Sequence, residues 1–387
     1  MKMKPLTEFC ALNMGQSPSS ETYNDENVGL PFFQGNADFG EVHPKVRIWC
    51  SSPVKVAAAG DILISVRAPI GAMNIANTPC CIGRGLAALS PNPGTCVQEY
   101  LYYALQSRID SLIAQGTGST FKAIGKKTLE DTQIPAYSLD EQQIISDTLS
   151  ETDQLITKTK AQVSLLDQLV KSRFVEMFGT VDDNRFGYIE CSLQDVCEPI
   201  KDGTHQTPEY TDDTAKGYKF LSSKDVVSGA IDWTRLKYIP EHLHRELYAR
   251  IAPRKGDILL AKNGTTGIAA IVDRDEVFDI YVSLALIRPL SVDATYLWAA
   301  INSTETKRQF DRSLKGIGVP NLHLGEIKKV RILHPPKDKQ NRFAAFVAEV
   351  DKSKFHIQKS LSTSRKLWTM ARIDAIMNMD FSTQRSL

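Results

Sequence analysis

The sequence contains no run approaching the roughly 18 apolar residues that a membrane-spanning helix needs, so a spanning segment is not expected. Its opening stretch, MKMKPLTEFCALNMGQ, lacks the apolar core of a secretory signal. The cysteines, Cys10, Cys50, Cys80, Cys81, Cys96, Cys191 and Cys197, are odd in number and include no Cys-x-x-Cys pair. That argues against a disulfide framework and a zinc knuckle, and points to a reduced, cytoplasmic protein. Charge of one sign is lacking too. The 46 basic and 45 acidic side chains leave a net charge of +1, which excludes a uniformly cationic nucleic-acid coat but leaves room for local basic faces.

Catalytic motifs are equally scarce. No Asn/Asp-Pro-Pro-aromatic segment is present to hold a flipped adenine, as a DNA adenine methyltransferase would require. The nearest phosphate loop, Gly125-Lys126-Lys127-Thr128, has Thr120 where the earlier glycine belongs, so the backbone cradle is missing. Gly116-Thr117-Gly118 does not extend into a dinucleotide-binding pattern. His242-Leu243-His244 would put two imidazoles on one face of a strand, but no third ligand is evident, and a solvated loop pair is the simpler reading. Asp61 and Asp257 invite a nuclease reading; in Gly-Asp-Ile-Leu they read more naturally as turn residues bonding their own backbone ahead of a buried strand. No catalytic residue and no metal site are expected.

What the chain does have is a repeat. Its 387 residues, 42% hydrophobic and 24% charged, suit two ordinary globular domains. Ala59-Gly60-Asp61-Ile62-Leu63 returns as Lys255-Gly256-Asp257-Ile258-Leu259, and Gly71 as Gly267, at an offset of 196. Gly116-Thr117-Gly118 answers Gly316-Ile317-Gly318, and Ile134-Pro135 answers His334-Pro335, at 200; Gln142 and Asp153 answer Gln340 and Asp351 at 198. Constant order within so narrow a range of offsets means one unit of about 190 residues written twice.

Each unit opens with a part punctuated by Gly, Pro and Asn and carrying short β-branched runs, such as Asp61–Val66 and Tyr281–Ile287, the texture of an α+β globule. It then passes a proline (Pro135; Pro335-Pro336) into about 40 residues without Gly or Pro, which predicts one long helix, the first ending at Gly179. Leu149, Ile156, Val163, Val170 and Met177 recur every seventh residue, with Leu166 between; Phe343, Val350, Ile357 and Ala371 keep one phase in the second helix, and Val347, Leu361 and Trp368 another. Such a period indicates a coiled-coil seam. Residues 139–178 hold seven acids and four bases, residues 337–378 four acids and nine bases, so the two helices are expected to pair with each other, antiparallel. A helix of that length, about 60 Å at 1.5 Å per residue, would hold two similar globules a fixed distance apart, an arrangement that suits symmetric DNA half-sites.

In these residues the chain resembles the specificity (S) subunits of type I restriction–modification systems. The resemblance covers nearly the whole sequence. It is carried by Gly118-Ser119-Thr120-Phe121-Lys122-Ala123-Ile124 followed by Ile134-Pro135, by Glu141-Gln142-Gln143-Ile144 with Asp153, and by the second copy, Gly318-Val319-Pro320-Asn321-Leu322, Pro335-Pro336 and Gln340. Lys201-Asp202-Gly203-Thr204-His205-Gln206-Thr207-Pro208 is similar to a segment near the start of one class of the family's recognition domains. The resemblance implies two tandem α/β target recognition domains (1–138 and 191–336), each followed by a long spacer helix (139–178 and 337–378), with a linker at 179–190 and a tail at 379–387. Each domain would read one half of a bipartite double-stranded DNA target. The helices would set the spacer and dock two methyltransferase (M) subunits that use S-adenosylmethionine to modify adenine. Two ATP-dependent restriction (R) subunits would join for cleavage. This chain would hold no cofactor; S-adenosylmethionine, ATP and magnesium would belong to the partners in a prokaryotic cytoplasm. Two departures stand out: Lys339 replaces the Glu141 of the first copy, and the second helix is more basic.

Base readout needs Arg or Lys for guanine and Asn or Gln for adenine, whereas phosphate contacts need only charge or donors. The candidates are Lys45, Arg47, Arg67, Arg84 and Lys122 in the first domain. The second offers Lys201, Thr204, His205, Lys219, Lys224, Lys262, Asn263 and Arg274. Arg67 and Asn263 fall at matching positions of the two copies. The competing reading is a coiled-coil assembly scaffold that touches DNA only incidentally.

Overall fold

The computed structural model describes residues 2–118, 122–264, 266–314 and 321–377, with side chains described through residue 364 and at 366. The described residues form two compact units: those within 2–160 together with 359–377, and those within 161–358. Each long helix is divided between them. Among the described residues no helix is long and apolar enough to cross a membrane.

In the first unit, four antiparallel strands lie side by side in the order Cys10–Met14, Leu86–Pro91, Ile62–Ser65, Met73–Ile75. Ile62–Ser65 is buried along its whole length because both faces of this sheet are covered. Ile62, Ile64, Ala87 and Leu89 face a helix, Gln98–Gln106, through Tyr100, Leu101, Ala104 and Leu105. Leu63, Leu86 and Ala88 meet Phe33, Ala57 and Ile82 of a second, mixed sheet, built from Tyr23–Asn24, Trp49–Cys50, Leu30–Phe33, Cys80–Ile82 and Val56–Ala57. Burial pushes the Cys10, Cys80, Cys96 and, in the second unit, Cys197 thiols up to about 12, so these cysteines serve as small apolar core residues.

The second unit repeats the plan. Its four-stranded sheet runs Lys201–Asp202, Leu284–Ile287, Ile258–Ala261, Ala269–Ile271, and Ala294–Ile301 is the covering helix. Several hydrogen bonds recur at equivalent atoms. Asp61 Oδ2 accepts from Ala58 N at 2.8 Å and Asp257 Oδ2 from Arg254 N at 2.9 Å, making both aspartates turn residues ahead of the buried strand. The glycines before them, Gly60 and Gly256, have φ of +91° and +88°, the left-handed conformation such a turn demands. Tyr100 donates to the Pro135 carbonyl at 2.6 Å, and Tyr296 to that of Leu333 at 2.5 Å, so Leu333 rather than Pro335 is the counterpart of Pro135 and the expected offset of 200 is corrected to 198 here. Gln142 Oε1 accepts from Val97 N at 2.8 Å and Gln340 Oε1 from Asp293 N at 2.7 Å. The second sheet differs: three strands, Lys237–Ile239, Tyr218–Leu221 and Phe278–Ile280, with a helix, Glu241–Arg250, packed on Phe278–Ile280.

The long helices span Leu139–Phe178 and Lys337–Met377. The first is started by Ser138 and Glu141, each bonding the other's backbone N–H, and is ended by Gly179 at φ +71°. Within the second unit the two helices pack through a knot of rings: Phe174, Phe178, Phe343 and Tyr296 lie with centroids 4.9–5.6 Å apart. Phe178 meets Phe343 while Asp167 accepts from Lys354 at 2.9 Å, so the chains run antiparallel here. Burial works against the Lys354 charge, yet bonds to Asp167 and Asp351 hold its pKa above the usual value. Val170, Val347 and Val350 are buried in the same cluster, with Leu166 packed against it. Leu149, expected in the seam, sits instead with Ile145 in the core of the first domain, because a seven-residue period also describes a helix lying on its own globule. Ile156 is buried, whereas Val163, Ile357 and Leu361 are half-buried. The side chain of Trp368 lies outside the described residues.

Candidate nucleic-acid interface

The strand Ile62–Ser65 ends at a rim that collects cations from three stretches of sequence. Val66 N donates to Gly85 O at 2.9 Å, Ala68 N to Lys122 O at 3.1 Å and Ile124 N to Val66 O at 2.9 Å. These bonds place Arg67 and Lys122 on adjacent segments, with Arg84 next to the residue that holds Val66. All three side chains are exposed, and none forms an ion pair with a described residue. Arg84 sits in a turn closed by Leu86 N to Gly83 O at 3.0 Å and tied to the second sheet by Gly83 N to Phe33 O at 2.8 Å, and its own N–H donates to Ser17 Oγ at 3.3 Å. Lys45 and Arg47 are exposed on a different loop, tied down by Asn74, which bonds both backbone groups of Gly40, and by Asp38, which accepts from Arg47 and from Gln34 N.

The same rim exists in the second unit, with other side chains. Lys262 N donates to Ser283 O at 2.9 Å and Leu322 N to Lys262 O at 2.8 Å, while the bridge Arg67–Ala123 becomes Asn263–Asn321. Asn263 therefore stands where Arg67 does, and Val282 where Arg84 does. The amide oxygens of Asn263 and Asn321 are both buried without a hydrogen-bond partner among the described residues, acceptors that an incoming donor would satisfy. Thr204 is half-buried beside Tyr281, and His205 is exposed, its Nε2 3.3 Å from Asp202. Lys224 is exposed beside Ser223, whose N–H donates to Ser283 Oγ at 2.9 Å, which brings it toward the rim.

Four candidates behave differently from a free DNA-contacting cation. Lys262 is 6% exposed and donates to Asp202 at 2.8 Å. A reader would have to leave that pair, so Lys262 is corrected here to an internal partner of Asp202. Burial opposes ionisation of Asp202, but the hydrogen bond and charge of Lys262, with His205 adding, hold its carboxyl below the ordinary value. Lys219 is half-buried on Glu276 at 2.5 Å, and Arg274 lies over the Trp233 ring while pairing with Asp273. Lys201 is exposed at the start of the strand carrying Asp202 and reaches Arg250 O at 3.4 Å.

The histidine pair is also corrected. His242 and His244 lie on the helix Glu241–Arg250, and His244 is buried. It stacks on Tyr218 at 3.7 Å and bonds Asp279 at 2.7 Å, anchoring the helix to the second sheet. Burial pushes the Asp279 carboxyl up to about 6 against the hydrogen bond and charge of His244. Among the described residues no group of three or more His, Cys, Asp or Glu is placed to hold a metal ion. Asp202 and Arg250 were not among the candidates; the signal for the first was its place in the Lys201–Pro208 segment, and for the second there was none.

The family model described as "Type I restriction modification DNA specificity domain" matches residues 1–165 and 188–364. A Methanocaldococcus jannaschii chain named as the MjaX specificity subunit of a type I restriction enzyme is 44% identical over 159 residues, 40% of this chain; the match spans 37% of that relative's length. The MjaVIII specificity subunit of the same organism is 25% identical over 308 residues, 73% of this chain and 71% of the relative. In fold, the chain resembles a type I restriction–modification S subunit from M. genitalium with a TM-score of 0.56 at 16% identity, covering 98% of this chain and 96% of that one.

Proposed function

This chain belongs to the type I restriction–modification DNA specificity family, and from that premise we propose that it selects the DNA sequence on which a type I restriction–modification complex acts. The observation that carries this reading is the pair of equivalent rims. Two copies of one hydrogen-bonded scaffold present different side chains at the same place, Arg67 with Arg84 and Lys122 in one, Asn263 with Asn321 in the other. A constant scaffold with variable polar side chains, exposed at Arg67, Arg84 and Lys122 and half-buried at Asn263 and Asn321, is what reading two different half-sites requires.

Each recognition domain reads one half of a bipartite double-stranded target. Arg67, Arg84 and Lys122 contact the first half, with Lys45 and Arg47 on the adjoining loop; Asn263, Thr204, His205 and Lys224 contact the second. The chain carries no catalytic group. Methylation of adenine from S-adenosylmethionine belongs to two docked methyltransferase subunits, and cleavage with ATP and magnesium to two restriction subunits, in the cytoplasm of a prokaryote. Docking uses apolar side chains that the long helices leave open: Leu165, Leu169 and Phe355 are 61%, 47% and 63% exposed, more apolar surface than helices facing only water need.

The test is genome-wide adenine methylation in cells carrying the cognate methyltransferase, with and without this chain. One split motif that requires the chain is expected. Replacing Arg67 by Asn should then alter one base of the first half and leave the second untouched. A methyltransferase that co-purifies with the chain yet methylates no chain-dependent motif would replace this reading with that of an assembly scaffold.

A further inference from the structure

The second recognition domain holds a buried ion pair that the first does without, and we propose that Asp202 and Lys262, together with Arg250, are positioning residues that present Thr204 and His205 to the second DNA half-site. This rests on the reading of the chain as a specificity subunit.

The two copies show that the fold does not ask for these charges. Gly15 N bonds Leu86 O, and Gly203 N bonds Leu284 O, so Met14 and Asp202 hold the same place on the first strand of the sheet. Val66 and Lys262 hold the same place after the central strand. In the first domain this position is an apolar pair, Met14 and Val66, packed with the core. In the second it is a carboxylate and an ammonium, 13% and 8% exposed at their side chains and 2.8 Å apart. Removing two charges from water is costly, and such a pair is often no more stabilising than the apolar pair that could replace it. Stability therefore does not account for it.

Its geometry does. The Asp202 oxygen that accepts from Lys262 is also the one 3.3 Å from His205 Nε2, so the buried lysine fixes the carboxylate on which an exposed histidine rests. Arg250 Nη2 donates to the carbonyls of Asp202 and Gly203 at 2.5 and 2.8 Å, gripping the backbone between the ion pair and the presented residues. Across the chain, Thr204 N donates to Ile280 O at 3.1 Å and Val282 N to Thr204 O at 2.9 Å. Gly203 allows this approach, since a Cβ there would lie 2.0 Å from Ile280 O. The segment is thus held on both edges, and the side chains that leave it are a hydroxyl and an imidazole, suited to acceptors on a base edge or phosphate. Asn263, the counterpart of Arg67, follows Lys262 directly in the chain.

The first domain supplies the decisive variant. Asp202→Met with Lys262→Val installs its apolar pair in the second, and thermal unfolding is expected to stay within a few degrees of the wild type. In cells with the cognate methyltransferase, the variant should direct methylation to a motif whose first half is unchanged and whose second half has lost at least fivefold discrimination at one base. Arg250→Gln, which alters an exposed side chain, should weaken the same half in the same direction and carries the test should the double variant fail to fold. A wild-type chain that directs no split motif would remove the premise. A wild-type split motif reproduced unchanged by the folded double variant, or by Arg250→Gln in its place, overturns the positioning role while leaving the premise standing, as does equal loss of both halves.

Discussion

Set side by side, the two recognition domains agree in their backbone bonds and disagree in the side chains attached to them. The turn aspartates Asp61 and Asp257 bond equivalent N–H groups, and the buried tyrosines Tyr100 and Tyr296 donate to equivalent carbonyls. Yet Asp257 also holds Arg288 through two bonds of 2.7 Å, where the first domain has Ser90 at the matching place. Met14 and Val66 become Asp202 and Lys262, and the exposed Arg67 becomes Asn263. The difference teaches that main-chain bonding fixes the architecture, so that internal pairs and rim residues are free to diverge together.

Variants at matched positions can break or sharpen this comparison. Phe343→Ala removes one ring of the helix-pair knot and should destabilise the second unit by about 3–5 kcal/mol in chemical unfolding. Its counterpart Ile145→Ala, with fewer atoms lost, should cost the first unit about 2–4 kcal/mol; the reverse ranking would mean that the ring cluster does not hold the helices. Asp257→Ala breaks both a turn and a largely buried ion pair, for about 3 kcal/mol. Asp61→Ala loses only the turn, about 1 kcal/mol, and equal losses would show that Arg288 contributes nothing. Tyr100→Phe and Tyr296→Phe each strand a buried carbonyl and should cost about 1–3 kcal/mol, alike in the two domains if the repeat is energetic as well as geometric.

A further effect distinguishes the second domain by pH. Asp279 is pushed up to about 6 from an ordinary 3.8. A carboxyl raised on folding stabilises the fold below its unfolded value, and that contribution fades as pH rises through the folded one. The stability of the wild type relative to Asp279→Asn should therefore fall between about pH 4 and pH 6. A difference that grows across the same window would mean that the pairing with His244 outweighs burial.

Much of this was legible beforehand because the repeat and the long helices are marked by residues with one conformational meaning. Gly-Asp before Ile-Leu announced a turn and a buried strand twice, and Pro336 and Gly179 adjoin helix ends, while the first long helix begins four residues after Pro135. The losses have physical reasons as well. A lysine after an apolar strand reads as exposed, and only a carboxylate 60 positions earlier makes Lys262 internal. Leu149 could not be assigned by period, since the same helix face can meet a partner helix or its own domain. The second sheets, with strands of two to four residues, are too short to display alternation. Among the reader candidates, the convergence of Arg67, Arg84 and Lys122 depends on backbone bonds between segments 17 and 55 residues apart, which no local pattern reveals.

The buried glutamines at the start of each long helix carry a consequence for how such a chain can change. Gln142 bonds Val97 N, Thr95 O and Tyr137 O, and Gln340 bonds Asp293 N and Pro335 O. Every partner is a main-chain atom. A joint of that kind is blind to the identity of the residues it holds, so substitutions in the attached domain leave it intact. Drift, or wholesale replacement of a domain by a distant relative's, can proceed on one side of the joint without a compensating change on the other.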